Sequence, residues 1–306
     1  MARELQVEKK SLPDLPPCAL ITIEDKIVIG TYRLNEETKV RDGSLDVYSA
    51  DLDLLSSLPT ESAILDVRYH DGKIYTAQST GSIQIWRLVD SKAVLERSIL
   101  VEDGVLVLQI MPVAGFVAAT LSTGEVAYID TEKGEVVWKS PTHSLEAWTC
   151  DFDESHTQLY SGGDDAVFAM HDVRMGQVMW KMRHHDAGVT SISIIPDAPE
   201  VIWTGGYDDK LRVVDGRSRR EQGNIDLGGG VWRLIPSQPN GPIIACCMYG
   251  GLRVLEPKAG FELPVVIGTL TNHESMVYGA AWSNDFKYGY SCSFYDRLVQ
   301  KWTPPS

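Results

Sequence analysis

A short motif recurs seven times along the chain, and this repeat restricts the possible folds more than any other feature. Each copy places a Gly or Asp in a polar turn, and an apolar residue that opens an alternating strand follows two residues later. The copies are RDGSLDVYS, STGSIQIWR, STGEVAYID, GDDAVFAMHD, YDDKLRVVD, YGGLRVLE and YDRLVQKW. Their anchors are Gly43, Gly81, Gly124, Asp165, Asp209, Gly250 and Asp296. Successive anchors are 38 to 46 residues apart, which is the length of a unit of four short strands.

The chain between the anchors is also typical of an all-β fold. Each unit contains two short apolar strands separated by a turn, for example ILDVRY followed by KIYTAQS. No stretch longer than about ten residues has a helical period, which excludes α/β folds. Seven such units are expected to close into a β-propeller around a central channel, with each blade packed against its neighbours.

The last unit ends at Trp302 without enough residues for an outer strand. The alternating N-terminal segment ELQVEKK precedes the first unit, and we expect it to supply that strand, because closure removes an exposed sheet edge. The last unit also contains His273, Ser291 or Ser293, Asp296 and Trp302, which resemble the hydrogen-bonded set of a WD40 blade.

The sequence therefore predicts one all-β domain over residues 1–306, a seven-bladed WD40-type β-propeller whose closing strand lies in residues 1–12. The predicted blades span approximately residues 17–60, 63–102, 105–140, 143–182, 185–226, 229–270 and 273–304.

Composition restricts the partners and the compartment. The formal net charge is −14 and the pI is near 4.9, so the chain repels phosphate backbones and nucleic acid is not expected as a partner. No run of about 18 apolar residues predicts a membrane span, and the N-terminus lacks the apolar region of a signal peptide. The five cysteines have no metal-ligand or disulfide spacing. We expect a cytoplasmic, monomeric protein without metal or cofactor.

Aromatic residues recur at one position of the innermost strands. The strands can be aligned on the apolar residues Leu65, Leu106, Ala147, Val189, Val231 and Val277. The next position then holds Asp66, Val107, Trp148, Thr190, Trp232 and Tyr278. In a closed ring these side chains would converge at the mouth of the channel, with Glu146 and Arg233 beside them. Aromatic faces with carboxylates favour a quaternary ammonium ligand through cation–π attraction. The alternative is that the aromatic rings fill gaps between blades.

Other candidate residues have structural interpretations. The Asp residues of the turns cap their own backbone, and His143, His185 and His273 occupy positions where WD40 blades use a structural histidine. Hydrolase and phosphate-binding motifs such as G-x-S-x-G, H-E-x-x-H and the P-loop are absent. Chemistry alone thus leaves a WD40 interaction module.

A more specific resemblance covers residues 143–304. The segments that carry it are EAWTCDF, YSGGDD, TGGYDDKLRVVDGR, GGGVWRLIPSQPNGPIIACCMYGGLRVL, HESMVYGAAW and SCSFYDRLVQKW. In this order they resemble the diphthine methyl ester hydrolases of diphthamide synthesis. The resemblance implies an enzyme that acts on translation elongation factor 2. In this family a modified histidine of that factor carries a trimethylammonium and a methyl ester, and hydrolysis of the ester leaves a carboxylate.

This resemblance suggests roles for the residues at the mouth. Trp148, Trp232, Tyr278 and Asp66 would bind the substrate, and His273 or Glu146 would activate a water. Arg233 or the backbone amides near Gly229–Gly230 would stabilise the oxyanion. A nucleophile at Ser275 or Cys292 is the alternative mechanism. Two non-enzymatic functions also stay open, namely an adaptor in a ubiquitin ligase or trafficking complex and a methyl-lysine reader.

Overall fold

The computed structural model describes residues 2–195, 198–239 and 241–305, and every regular element in these ranges is a β-strand. The strands form seven sheets of four or five strands each. The first strand of each sheet contacts the first strand of the next one, and the seventh sheet returns to the first. The seven-bladed WD40-type propeller predicted from the repeat is therefore confirmed. No helix in the described ranges is long and apolar enough to cross a membrane.

Each blade runs outwards from the channel in chain order. The innermost strands are Pro17–Ile23, Ile64–His70, Val107–Val113, Ala147–Phe152, Val189–Ile194, Arg233–Pro236 and Val277–Trp282. The second strands are Lys26–Thr31, Lys73–Gln78, Phe116–Leu121, Gln158–Gly163, Val201–Gly206, Ile243–Cys246 and Gly289–Ser293. The third strands are Arg41–Ser49, Ser82–Val89, Glu125–Asp130, Phe168–Asp172, Lys210–Asp215, Leu252–Glu256 and Val299–Thr303. The outer strands of blades 1 to 6 are Leu54–Thr60, Lys92–Leu100, Glu135–Pro141, Gln177–Met182, Arg220–Asp226 and Val265–Leu270.

Burial explains why these segments form strands at these depths. The second strand Val201–Gly206 is buried at every residue, because both of its faces are covered by neighbouring blades. The outer strand Arg220–Asp226 alternates between exposed and half-buried residues, as expected for a strand with one face in water. One short strand, Arg33–Leu34, adds to the third strand of blade 1.

Seven hydrophobic clusters fill the spaces between blades, one for each neighbouring pair, including the pair formed by blades 7 and 1. The free energy of burying apolar surface is therefore shared around the ring, since each blade buries one apolar face against each neighbour.

The N-terminus closes the ring as predicted. Gln6–Ser11 pairs antiparallel with Val299–Thr303 and places Val7 opposite Trp302. Trp302 is fully buried and its ring lies 5.7 Å from that of Trp282. A second contact was not predicted: Arg3–Glu4 pairs parallel with the outer strand of blade 6. The N-terminus therefore joins two adjacent blades.

Candidate functional site

The three aromatic residues predicted to converge do lie together. The ring centroids of Trp148 and Trp232 are 5.5 Å apart, and those of Trp232 and Tyr278 are 5.0 Å apart. Trp148 and Tyr278 are the second residues of the innermost strands of blades 4 and 7, and Trp232 immediately precedes the innermost strand of blade 6. Because Trp148 reaches Trp232 past the intervening blade 5, the rings cover one mouth of the channel. We call Trp148, Tyr207, Trp232 and Tyr278 the aromatic cluster.

Tyr207 is the member of this cluster that the sequence analysis missed. It lies in the turn after the second strand of blade 5, and its centroid is 6.1 Å from those of both Trp148 and Trp232. Glycine makes room for it: a Cβ on Gly188 would lie 3.0 Å from the Tyr207 ring. The sequence signal for Tyr207 is an aromatic residue directly after Gly205–Gly206, in a turn whose Asp residues were predicted to cap the backbone.

Two carboxylates border the aromatic cluster. Asp164 Oδ1 accepts a hydrogen bond of 3.0 Å from the Trp148 Nε1–H. Burial raises the pKa of the Tyr207 hydroxyl, and the charges of Asp164 and then Glu146 raise it further. Both carboxylates are thus near the Tyr207 ring. Asp164 is one of the turn residues that were predicted to cap their own backbone. Its side chain instead holds Trp148 in place at the mouth of the channel.

Asp66 was predicted to occupy the same strand position as Trp148, Trp232 and Tyr278, and this prediction is wrong by one residue. A β-bulge interrupts the innermost strand between Ile64 and Asp66, as it does between Ala147 and Thr149. The unpaired residues are therefore Leu65 in blade 2 and Trp148 in blade 4. Blade 3 has the same bulge, so Leu108 and not Val107 takes this position.

Asp66 instead lies level with Arg233, one step deeper in the channel. Asp66 Oδ1 is 3.3 Å from Arg233 Nη2, and Asp66 Oδ2 accepts bonds from Arg68 Nε at 3.0 Å and from the Ile110 N–H at 3.1 Å. The Asp66 carboxylate is therefore occupied by protein donors and orients Arg233.

Arg233 connects the aromatic cluster to the channel. Its guanidinium carbon lies 5.7 Å from the centre of the Trp232 ring, and its side chain is 10% exposed. A ligand cation on the aromatic cluster would thus place neighbouring ligand atoms near a buried guanidinium. This arrangement fits a ligand that carries a cation next to an oxygen-bearing group.

His273 does not lie among the mouth residues. It is buried in blade 7, where Nδ1 is 2.6 Å from Ser293 Oγ and Nε2 is 2.9 Å from Ser291 Oγ. The Ser293 hydroxyl donates to Asp296 at 2.6 Å, and burial lowers the pKa of His273 to about 4. Both ring nitrogens are occupied, so the geometry does not favour His273 as the base. The Trp302 indole N–H does not join this network.

The other two candidate histidines, His143 and His185, have the structural role within their blades that was expected. His143 contacts Asp165 at 3.0 Å and Ser161 at 2.9 Å. His185 makes the same contacts with Asp208 and with a threonine of the second strand. The hydroxyl of Ser161 is fully buried between strands, so this Ser–His–Asp arrangement connects blade 4 internally and is closed to a substrate.

The two alternative nucleophiles are also enclosed. Ser275 is buried and its hydroxyl oxygen accepts the Tyr295 N–H at 2.9 Å. Cys292 is buried, and burial raises the pKa of its thiol, which disfavours the thiolate that nucleophilic attack needs. Among the described residues, no group of three His, Cys, Asp or Glu side chains could hold a metal ion.

Comparisons with known proteins agree with this architecture. The family described as "WD domain, G-beta repeat" matches residues 176–215 and 264–303. A protein named diphthine methyltransferase from Saccharomyces cerevisiae is 32% identical, covering 94% of this chain and 95% of its own length. The protein of the same name from Schizosaccharomyces pombe is 33% identical, covering 91% of both chains.

Two further matches are more distant. The human protein named diphthine methyltransferase is 30% identical over 72% of this chain, and the match covers 56% of its own length. A chain in a crystal structure of the mitotic checkpoint complex superposes with a TM-score of 0.82, covering 98% of this chain and 92% of that one. At 16% identity, this last likeness supports the propeller fold alone.

Proposed function

Because the chain belongs to the WD-repeat diphthamide biosynthesis family, we propose that it hydrolyses the methyl ester on the modified histidine of translation elongation factor 2. The observation that carries the proposal is the aromatic cluster with a buried arginine directly behind it. The substrate side chain carries a trimethylammonium and a methyl ester, which correspond to these two features. The reaction would take place in the cytoplasm.

In this proposal, the trimethylammonium binds on the faces of Trp148, Trp232 and Tyr278. A quaternary ammonium cannot donate hydrogen bonds, so it is recognised by aromatic faces and by nearby negative charge. Asp164 and Glu146 supply that charge at the border of the cluster. The net charge of −14 attracts a cationic segment of the protein substrate.

The ester carbonyl would then face Arg233. A water oxygen attacks the carbonyl carbon, and the Arg233 N–H groups stabilise the negative charge that develops on the carbonyl oxygen. The bond between the carbonyl carbon and the methoxy oxygen breaks, and the methoxy group takes a proton and leaves as methanol. The products are methanol and a carboxylate on elongation factor 2.

We assign the activation of water to Glu146. A general base must reach the water with a free acceptor atom. Both nitrogens of His273 are bonded to serines, whereas Glu146 is half-buried at the mouth and contributes its charge next to Tyr207.

The relatives' name, diphthine methyltransferase, supports methyl transfer as a second candidate reaction. The two reactions change the mass of the substrate in opposite directions. We expect the purified protein to remove one methyl group from elongation factor 2 that carries the methyl ester, and to release methanol, without any methyl donor. A gain of a methyl group that depends on a donor would support transfer, and binding without a mass change would support an adaptor.

Replacing Trp232 by alanine tests the aromatic cluster. We expect KM to rise about 30-fold with little change in kcat, because a desolvated cation–π contact contributes about 2 kcal/mol. The matched control is Trp180→Ala, since Trp180 is a half-buried tryptophan on the outer strand of blade 4. Methanol release as a function of substrate concentration gives both constants. Equal KM values for the two variants would remove Trp232 from the binding site.

A further inference from the structure

The lower part of the channel contains two cavities that meet at two arginines. The larger has a volume of about 440 Å³ and is lined by the innermost strands of blades 1, 2, 6 and 7. The smaller has a volume of about 210 Å³ and is lined by those of blades 2 to 6. Arg68 and Arg233 line both cavities. The larger cavity borders Tyr278 of the aromatic cluster at one end, and Ser283 and Asn284, in the turn after the innermost strand of blade 7, at the other.

The strand register explains how charged side chains reach this space. Residues two apart on a strand share a face, so each innermost strand contributes two inward levels. The upper level consists of Ala19, Asp66, Gln109, Thr149, Ser191, Arg233 and Gly279. The lower level consists of Ile21, Arg68, Met111, Asp151, Ser193, Ile235 and Ala281. Each of these residues lines at least one of the two cavities.

The two guanidinium groups have donors to spare. Arg68 donates through Nε to Asp66, and Arg233 donates through Nη2 to the same carboxylate. These are the hydrogen bonds that the two side chains make within the described ranges. Since a guanidinium has five N–H donors, each has further donors, and both side chains line the two cavities. Arg68 is 26% exposed, so a small solute can reach it.

Asp151 controls the charge of this space. It lies on the lower level, half-buried, and its Oδ1 accepts the Phe152 N–H at 2.9 Å. Burial raises the pKa of Asp151 to about 7, against the opposing effect of Arg68. When Asp151 is protonated, two guanidiniums and the single carboxylate of Asp66 leave one net positive charge.

The other groups around Asp151 do not change this balance. Across the channel, Arg68 is the charged group that acts on Asp151, Arg233 lines the same cavity, and Asp66 is bonded to both arginines. Cys150 is adjacent in sequence. Burial raises the pKa of Cys150, so its thiol stays uncharged. The facing residues of blades 3 and 5 are uncharged: Gln109, Met111, Ser191 and Ser193.

We propose that Arg68 and Arg233 form a binding site for a small carboxylate anion in the lower channel. A planar carboxylate matches the fork of a guanidinium, and its single charge balances the one net positive charge of the site. A phosphate dianion would exceed that charge. The site shares Arg233 with the proposed hydrolysis, but acetate binding without elongation factor 2 is measured separately, so a failure of either proposal is distinguishable from a failure of the other.

Acetate is the probe, and its binding is measured by calorimetry at constant ionic strength with chloride as the reference anion. Acetate stays ionised about one pH unit below and above the pKa of Asp151, while the fraction of protonated Asp151 falls about tenfold between these conditions. We expect acetate to bind about tenfold more tightly at the lower pH, because only the protonated site is competent. Equal affinity at both pH values would overturn the proposal, as would tighter binding of inorganic phosphate than of acetate at the higher pH, where most of the phosphate is the dianion.

Variants separate the site from general effects of charge. Arg68→Met should abolish saturable acetate binding, whereas Arg174→Met should not, since the Arg174 side chain is 82% exposed on the outside of blade 4. Asp151→Asn keeps an oxygen for the Phe152 N–H but carries no charge, so it should bind acetate equally at both pH values. If Arg68→Met does not fold, the Asp151→Asn variant decides: binding that still varies with pH would refute the site.

Discussion

Replacing Arg233 by methionine is expected to lower kcat for methanol release about 100-fold, the effect of removing one donor to a developing oxyanion. Methionine has a similar length and no charge, so the variant removes the guanidinium and keeps most of the volume. Single-turnover release of methanol from elongation factor 2 that carries the methyl ester measures the effect. The control is Arg174→Met, which removes an exposed arginine far from the channel.

The variant should fold, because Asp66 keeps its bonds to Arg68 and to the Ile110 N–H. A melting temperature close to that of the parent protein would verify this. If kcat stays within about threefold of the parent value in a folded variant, Arg233 does not stabilise the transition state. A change confined to KM would place Arg233 in substrate binding.

Replacing Trp302 by alanine should destabilise the whole domain by about 4 kcal/mol, the typical loss for truncating a fully buried tryptophan. Trp302 packs against Trp282 and lies over Gly289, where an added Cβ would meet its ring at 2.2 Å. It also pairs with Val7 of the closing strand. Its removal therefore weakens blade 7 and the closure of the ring together. Urea unfolding followed by tryptophan fluorescence gives the free energy.

Trp180→Ala is the matched control for this prediction, since Trp180 is half-buried at the outer rim. Trp180→Ala should lower the free energy of unfolding clearly less than Trp302→Ala does, because it leaves a smaller cavity. A Trp302→Ala variant that unfolds within about 1 kcal/mol of the parent protein would show that blade 7 does not limit the stability of the ring.

The ring itself was predictable because its information is repeated seven times along the chain. An error in one unit does not change the period, and the missing outer strand of the last blade indicated where the N-terminus must pair. The convergence of Trp148, Trp232 and Tyr278 was predictable for the same reason, because equivalent positions in a closed ring face one channel. The pairing of Arg3–Glu4 with blade 6 was not, since two residues carry no pattern.

The levels inside the channel were not predictable from alternation. A β-bulge adds one unpaired residue to a strand. In the innermost strands, the aromatic residue at the bulge and the residue that follows it therefore both lie at the channel. Nothing in ILDVRY marks where that extra residue lies, and Asp66 was therefore assigned to the wrong level. Asp151 was missed because its pKa depends on burial and on Arg68, which is distant in sequence.

The histidines show the limit of motif reasoning in a repeat protein. His273 was a candidate base because it lies in a segment that resembles the hydrolases. The structure places it in a network of Ser291, Ser293 and Asp296, the blade-level role that its position in the repeat also indicated. A position that recurs in several blades is better explained by the fold than by a reaction that occurs once.

Hydrolysis of the substrate in water labelled with heavy oxygen tests the central claim most directly. If water attacks an ester carbonyl held beside Arg233, mass spectrometry will find one labelled oxygen in the new carboxylate of elongation factor 2 and none in the methanol. Label in the methanol would show attack on the methyl carbon. An unchanged substrate after incubation with the folded protein would contradict hydrolysis of the ester by the propeller.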